Sequence, residues 1–145
     1  MKPARFVKDL DHNRIVEAIR NAEAASRGEV RVHVAKEAVE DARTAAAAQF
    51  DKLAMSATAE RNGVLVYVAP TSQRFAVIGD AAIHERCGEA FWNEVALGME
   101  GAFREGRFTE GIVAAVGRVG EALARHFPRL GGTDVNELPD EVSES

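Results

Sequence analysis

The fold is decided by residues 61–80, which begin Arg61-Asn62-Gly63-Val64-Leu65-Val66-Tyr67-Val68 and end Arg74-Phe75-Ala76-Val77-Ile78-Gly79-Asp80. The first run is apolar on both faces, which is typical of a central strand covered by helices on each side. The turn residues Pro70-Thr71-Ser72 link it to the second run. This link is too short for a crossover, so we expect the two strands to be antiparallel neighbours.

A strand and a helix precede this hairpin. Residues 29–35 alternate between two faces, which predicts a half-buried strand near a sheet edge. Apolar residues then recur at helical spacing from Val39 to Leu53, which predicts an alanine-rich helix. Strand, helix and strand form a βαβ unit, whose strands we expect to be parallel with a right-handed crossover. The alternating strand places Val30, Val32 and Val34 on one face and the polar Arg31 and His33 on the other.

Further helices flank these strands. The first is predicted to begin after the N-cap Asp11 and to end before Gly28, which we expect in a left-handed conformation. A short helix is predicted after Asp80. Two more carry apolar stripes over 92–103 and 109–127.

Small residues interrupt the last of these helices. Gly117 and Gly120 weaken it intrinsically, which predicts close approach to a neighbouring element. The elements together predict an α/β fold, a three-layer α/β/α sandwich with a small mixed central sheet, in which a Rossmann-like βαβ unit is joined to an antiparallel hairpin. We expect one domain over residues 1–130 and an acidic, disordered tail over residues 131–145.

Charge is concentrated in that tail. The chain has 145 residues, 23 acidic and 18 basic, and five of the acidic residues lie in 131–145, so the body has 18 of each sign. A neutral body lacks the positive field that phosphate backbones require, so we expect no nucleic-acid partner. The five tail residues are Asp134, Glu137, Asp140, Glu141 and Glu144.

Compartment signals are sparse. The single cysteine, Cys87, cannot form an internal disulfide, which suits a reducing compartment. The N-terminus has no apolar core of signal-peptide length. The longest apolar run, residues 64–70, is too short to span a bilayer. We therefore expect a soluble, cytoplasmic chain without a transmembrane segment.

Three polar side chains are predicted to converge at one end of the sheet. The antiparallel hairpin places Asp80 beside Asn62, and the parallel pair places Glu29 at the same end. Their oxygen atoms are ligands of the kind that calcium or magnesium prefers. Each residue also has a structural alternative: Asp80 as the cap of the next helix, Asn62 as a turn residue, and Glu29 as a partner of Arg31 or of a helix residue.

Motifs of defined catalytic chemistry are absent from the sequence. There is no phosphate-binding P-loop, dinucleotide glycine pattern or serine nucleophile elbow, so we expect no organic cofactor. The segment His84-Glu85 lacks a second histidine four residues after the first, and we expect His12, His33 and His126 on the surface. A structural zinc site is therefore not expected.

The chain resembles the TPM domain family, named for a thylakoid lumen protein, a photosystem II repair protein and a modulator of levamisole receptors. The resemblance extends from Ile15 to Phe127. It is carried by four segments in the family's order: Ser26 with Gly28-Glu29-Val30-Arg31-Val32, Asn62-Gly63-Val64-Leu65-Val66, Gly79-Asp80, and the junction of Phe103, Gly106, Phe108 and Gly111.

The resemblance implies an α/β/α sandwich, a divalent-cation site as in some members and weak acid-phosphatase activity as in a plant member. Asp80 and Asn62 match the family pattern, and Glu29 matches it less closely. The tail is similar to the end of small stand-alone bacterial members, which implies that it binds a partner. Two hypotheses follow. One is an interaction module, acting on a protein partner that is itself membrane-associated; the other is a weak metal-dependent phosphatase.

Overall fold

The structure is a computed structural model that describes residues 2–129 and 142–144. Within these residues, six α-helices and four strands follow one another. They are α1 (Pro3–Asp9), α2 (His12–Ala24), β1 (Glu29–Val34), α3 (Ala42–Lys52), β2 (Gly63–Ala69), β3 (Arg74–Gly79), α4 (Ala81–Cys87), α5 (Glu89–Arg104), α6 (Phe108–His126) and β4 (Val142–Glu144).

The central sheet has the strand order β3-β2-β1-β4. Strand β2 is parallel to β1, with Glu29 opposite Gly63, and antiparallel to β3, with Val64 opposite Gly79. The predicted strand directions are therefore confirmed. Every residue of β2 is buried, as expected of a central strand.

Two hydrophobic clusters, one on each face, make the fold the predicted α/β/α sandwich. On the first face, the valines of β1 and β2 form one cluster with buried residues of α1, α2, α4, α5 and α6. On the second face, Leu65, Tyr67 and Ala76 pack against α3, whose buried residues are Ala46 and Phe50. We call these the five-helix face and the single-helix face.

Helix α3 begins later than its apolar spacing predicted. Asp41 is the N-cap, and its side chain accepts hydrogen bonds from the amides of Arg43 and Thr44. Val39 therefore lies before the helix and packs against its cluster from the preceding loop. Capping chemistry, rather than the apolar pattern, determines where this helix starts.

Two glycine predictions are corrected. Gly28 does not follow a helix in a left-handed conformation, since the glycines with positive φ among the described residues are Gly88 and Gly106. A Cβ at Gly28 would lie 2.5 Å from Leu123, so close packing explains the residue. Gly120 approaches Ala22 on α2 as predicted, whereas a Cβ at Gly117 would meet no heavy atom of the described residues within 4 Å.

The expected surface position of His33 is wrong. His33 is 1% exposed and stacks on Tyr67, with ring centroids 5.7 Å apart. Burial, together with the charges of Arg31 and Lys52, lowers the pKa of His33 to about 4. Strand β1 is therefore buried on both faces rather than half-buried, and Arg31 is the one residue of the strand that stays partly exposed.

Strand β4 lies beside β1 and runs parallel to it, with Val32 opposite Val142 and Val34 opposite Glu144. This strand lies within residues 131–145, for which the polar and acidic composition predicted a disordered tail. Residues 130–141 lie outside the described residues, so for them that assignment stays a prediction.

Candidate functional site

The candidate site lies at the end of the sheet where β1 and β2 begin. Glu29 is the first residue of β1, Asn62 directly precedes β2, and Asp80 directly follows β3. The amide of Asp80 donates to the carbonyl of Gly63 (2.8 Å), which joins the end of β3 to the start of β2. The strand register thus brings the three predicted residues to one end of the sheet, which we call the acidic rim.

The Asp80 carboxylate is buried and carries two roles. Its Oδ1 accepts from the amide of Ala81 at 2.7 Å, so it caps α4, which was the structural alternative. Both oxygens also accept from Arg61, Oδ2 from Nε at 2.8 Å and Oδ1 from Nη2 at 3.0 Å. The Asp80 side chain is 6% exposed, whereas that of Arg61 is 54% exposed. The buried Asp80 carboxylate is therefore paired with a guanidinium group whose side chain is about half exposed to solvent.

The backbone of Arg61 is unusual. Its φ is 53°, a left-handed backbone conformation that residues other than glycine, asparagine and aspartate rarely adopt. The hydrogen bonds and the charge of Asp80 raise the pKa of Arg61, as expected of a bidentate pair. The ion pair thus holds the loop in a costly conformation at the entrance to the rim.

A second arginine fork ties the same loop to the start of β1. Arg27 donates from Nε to Glu60 Oε2 at 2.7 Å and from Nη2 to Oε1 at 3.0 Å. Hydrogen bonding from Arg27 lowers the pKa of Glu60. Asn62, which is almost fully buried, donates from Nδ2 to the carbonyl of Arg27 at 3.2 Å. Its amide oxygen is therefore the atom that a cation would use.

Most of the polar residues buried within the described chain lie at or beside this rim. Glu23 contributes a second buried carboxylate next to Glu29, because its Oε2 accepts from the amide of Val30 at 2.9 Å. Thr58 precedes Arg61 in the same loop, and its hydroxyl is buried without a hydrogen bond to any described residue. The buried polar residues here are Glu23, Ser26, Glu29, Thr58, Asn62 and Asp80.

Sequence reasoning found Glu29, Asn62 and Asp80 but missed Glu23 and Arg61. A signal for Glu23 was present, because it lies four residues after Ile19 and so continues the buried stripe of α2. Arg61 had no local signal for its pairing, since its partner is 19 residues away and meets it only through the strand register.

The oxygen atoms of the rim determine which metal ions it could bind. Within residues 2–129, no three His, Cys, Asp or Glu side chains form a group that could hold a metal ion. A cation at the rim would therefore need the Asn62 amide oxygen, backbone carbonyls or water besides its carboxylates. Calcium accepts such mixed oxygen ligands, six to eight in number, so the residue types fit although Arg61 stands in the way.

The fold and the rim define a class, a three-layer α/β/α domain with a buried acidic rim. The family model described as TPM domain matches residues 1–122, so the chain belongs to the TPM domain family. A solved structure, the NMR structure of the BA42 protein from the psychrophilic bacterium Bizionia argentinensis, superimposes with a TM-score of 0.84. It is 36% identical in sequence, and the match covers 92% of each chain. No curated protein matches.

The helices differ from membrane-spanning segments. None of those within the described ranges combines the length and the hydropathy that a bilayer span requires.

Proposed function

We propose that this chain is an accessory interaction module whose acidic rim binds a divalent cation, calcium or magnesium, through Asp80, Asn62 and Glu29. The observation that carries the proposal is the Asp80–Arg61 pair. A carboxylate that is 6% exposed carries a cationic group that is 54% exposed. Arg61 can leave without disturbing the core, and a metal ion that reaches Asp80 competes with it for the same two oxygens.

Two further observations support the rim as the site. Asn62 donates from its amide nitrogen to the carbonyl of Arg27, which leaves its amide oxygen available as a ligand. The buried hydroxyl of Thr58, without a hydrogen bond to the described residues, is a further oxygen in the same loop. Buried polar atoms are normally satisfied, so an exception in the loop that carries Arg61 supports a polar ligand at this end of the sheet.

The pairing of the arginines at the rim favours the interaction role over catalysis. Phosphoryl transfer needs positioned cations that stabilise the transferring group and an activated nucleophile. Both arginines at the rim hold carboxylates, Arg27 on Glu60 and Arg61 on Asp80. The alternative function, a weak metal-dependent acid phosphatase, would rest on a metal-activated water at Asp80.

The partner that we propose is another protein, and the family resemblance points to a membrane-associated assembly. The neutral charge of residues 1–130 argues against nucleic acid. We expect the protein in the cytoplasm, where a single unpaired cysteine such as Cys87 is stable as a thiol.

Calcium titration followed by amide chemical shifts tests the site. We expect shifts clustered at Asn62, Asp80 and Ala81 that saturate with calcium and disappear in Asp80→Asn. Asparagine caps helices about as well as aspartate, so α4 should remain folded. The matched control is Asp41→Asn, which makes the same change at the N-cap of α3 and should leave the calcium shifts unchanged. Loss of the response in both variants would contradict a site at the rim.

Arg61→Gln sharpens this test, because it removes the competing guanidinium. We expect this variant to bind calcium more tightly than the parent protein. Calcium affinity that is unchanged or weaker would contradict the exchange of Arg61 for the metal.

Phosphate-ester turnover separates the two functions. The accessory role predicts no metal-dependent hydrolysis of a chromogenic phosphate monoester by the purified chain. Turnover that requires the metal and is abolished by Asp80→Asn would replace the accessory role by the phosphatase.

A further inference from the structure

A polar cleft that shares no lining residue with the acidic rim lies between α4, α5 and α6. Its volume is about 400 Å³. Its walls carry four basic side chains, of which Arg86 comes from the last turn of α4 and the others come from α6. These four residues are Arg86, Arg118, Arg125 and His126. We call this the basic cleft.

Two acidic residues also line the basic cleft, and one of them is already paired. Glu94 accepts from Arg118 Nη2 at 3.1 Å, and the Arg118 guanidinium lies 5.9 Å from the centroid of the Phe91 ring. Glu121 is the second acidic residue. Three guanidinium groups therefore face two carboxylates, which leaves an excess of one positive charge before His126 is counted.

Arg86 and Arg125 are the two guanidinium groups of the cleft that no carboxylate of the described residues engages directly. Within the described residues, neither guanidinium makes a hydrogen bond or an ion pair. By contrast, the arginines of the acidic rim both hold carboxylates in a fork. Arginine forks match the geometry of phosphate and carboxylate oxygens, so two unengaged forks in one cleft are suited to an anionic ligand.

Cys87 lines the same cleft and reports on its charge. Burial raises the pKa of the Cys87 thiol, while the positive charge of Arg125 acts in the opposite direction. The guanidinium of Arg125 is therefore close enough to the sulfur to affect its ionisation. Cys87 is the one cysteine of the chain, so any thiol signal measured on this protein comes from the basic cleft.

We propose that the basic cleft binds a small oxyanion of the phosphate class, held by Arg86 and Arg125. Arg118 contributes less, because Glu94 already neutralises it. The ligand is a small molecule, because a cleft of about 400 Å³ lies near the lower end of the range for small-molecule sites. This proposal is independent of the cation site at the acidic rim.

Basic residues at the ends of α4 and α6 have a structural alternative. Positive side chains near a helix C-terminus interact favourably with the helix dipole and stabilise the helix without binding anything. In that case the two arginines contribute to stability, and they give no affinity for phosphate.

Thiol kinetics at Cys87 distinguish the two explanations. The protein is reacted at constant pH and ionic strength with dithiobis-nitrobenzoate, a dianionic disulfide, and with dithiodipyridine, a neutral one. The thiolate of Cys87 attacks the reagent disulfide, a mixed disulfide forms and the coloured thiolate leaves. Both reagents meet the same thiolate, so the ratio of their rates, compared with that of a small free thiol, reports the charge of the cleft rather than the pKa of the thiol.

We expect the double variant Arg86→Gln, Arg125→Gln to lower this ratio on the order of tenfold, as expected when a cleft loses its steering charge. Inorganic phosphate and a phosphate monoester are then titrated separately against chloride of equal ionic strength. In the unsubstituted protein at least one of them should slow both reagents with a saturable dependence. In the double variant this protection should be lost.

Arg104→Gln is the matched control, because it removes the same charge about 20 Å farther along α5 than Phe91. It should leave both the ratio and the protection unchanged. Thermal unfolding of all variants measures the structural contribution of the arginines. The proposal is overturned if neither phosphate compound protects beyond chloride, or if the double variant lowers thermal stability without changing the ratio.

Discussion

The two faces of the central sheet are built from different side chains. The five-helix face receives valines from β1 and β2 and an aromatic cluster that includes Phe6 and Phe103. The single-helix face receives Arg31 and His33 of β1, which lie beside Leu65 and Tyr67 of β2, and the alanine-rich α3 packs on β2 and β3. We therefore expect close packing to determine the contribution of the first face to the free energy of unfolding. The contribution of the second face should depend on pH, because it contains a buried imidazole.

The largest expected effect is on the five-helix face. Phe6 is 2% exposed, and its ring packs edge-on against Phe108, with centroids 5.1 Å apart. Phe6→Ala should lower the free energy of unfolding by about 3 kcal/mol, because it leaves a cavity under α1. Urea unfolding at two pH values checks this, and the loss should be the same at both. Leu97→Ala, at an exposed apolar residue of α5, should cost less than about 0.5 kcal/mol.

A loss at Phe6 no larger than that at Leu97 would contradict the docking of α1 on this face.

The next effect belongs to the single-helix face. The pKa of His33 is about 4 in the folded protein and 6.5 in a model peptide. Between these values the unfolded chain binds more protons, so the free energy of unfolding falls as pH decreases. For this residue the fall should be about 2 kcal/mol between pH 7 and pH 5. Urea unfolding of His33→Gln should show a correspondingly smaller decrease over that interval.

His84→Gln, at a more exposed imidazole, is the control for this experiment. An equal pH dependence in the parent protein and in His33→Gln would mean that the two faces do not differ in proton binding.

The smallest effects come from two glycines of α6. A Cβ at Gly120 would lie 2.7 Å from the Cβ and 3.1 Å from the Cα of Ala22, so Gly120→Ala should cost about 1–2 kcal/mol. Gly117→Ala meets no described heavy atom within 4 Å and should instead raise the free energy of unfolding by roughly 0.5–1 kcal/mol. Thermal or urea unfolding checks both. Effects of equal sign would show that helix propensity, and not the approach of α2, decides stability here.

The strand arrangement was predictable because the links between strands leave little choice. Three turn residues after β2 permit only an antiparallel neighbour, and the helix-containing link before it permits a parallel one. The caps Asp11 and Asp80 were also readable, because an acidic residue before an apolar pattern is a strong helix start.

Other parts of the fold depend on contacts that a local pattern does not contain. Helix α1 has seven residues and one buried side chain, which is too little for a periodic signal. The buried position of His33 includes a stacking contact with Tyr67, which lies 34 positions later in the chain. Gly28 is small because of Leu123, which lies 95 positions later in the chain, and strand β4 pairs with a strand more than 100 residues away.

The candidate site divides in the same way. The meeting of Glu29, Asn62 and Asp80 follows from strand register alone, so it could be predicted. The pairing of Asp80 with Arg61 could not, because it depends on the left-handed backbone of one loop residue.

That backbone conformation has a consequence for solution conditions. The interaction that offsets its cost, the Arg61–Asp80 ion pair, reaches the solvent on the arginine side and is weakened by dissolved salt. As ionic strength rises, the offset shrinks while the torsional cost of Arg61 stays the same. The segment from Thr58 to Asn62 therefore loses conformational restraint in concentrated salt before the hydrophobic layers beneath it change.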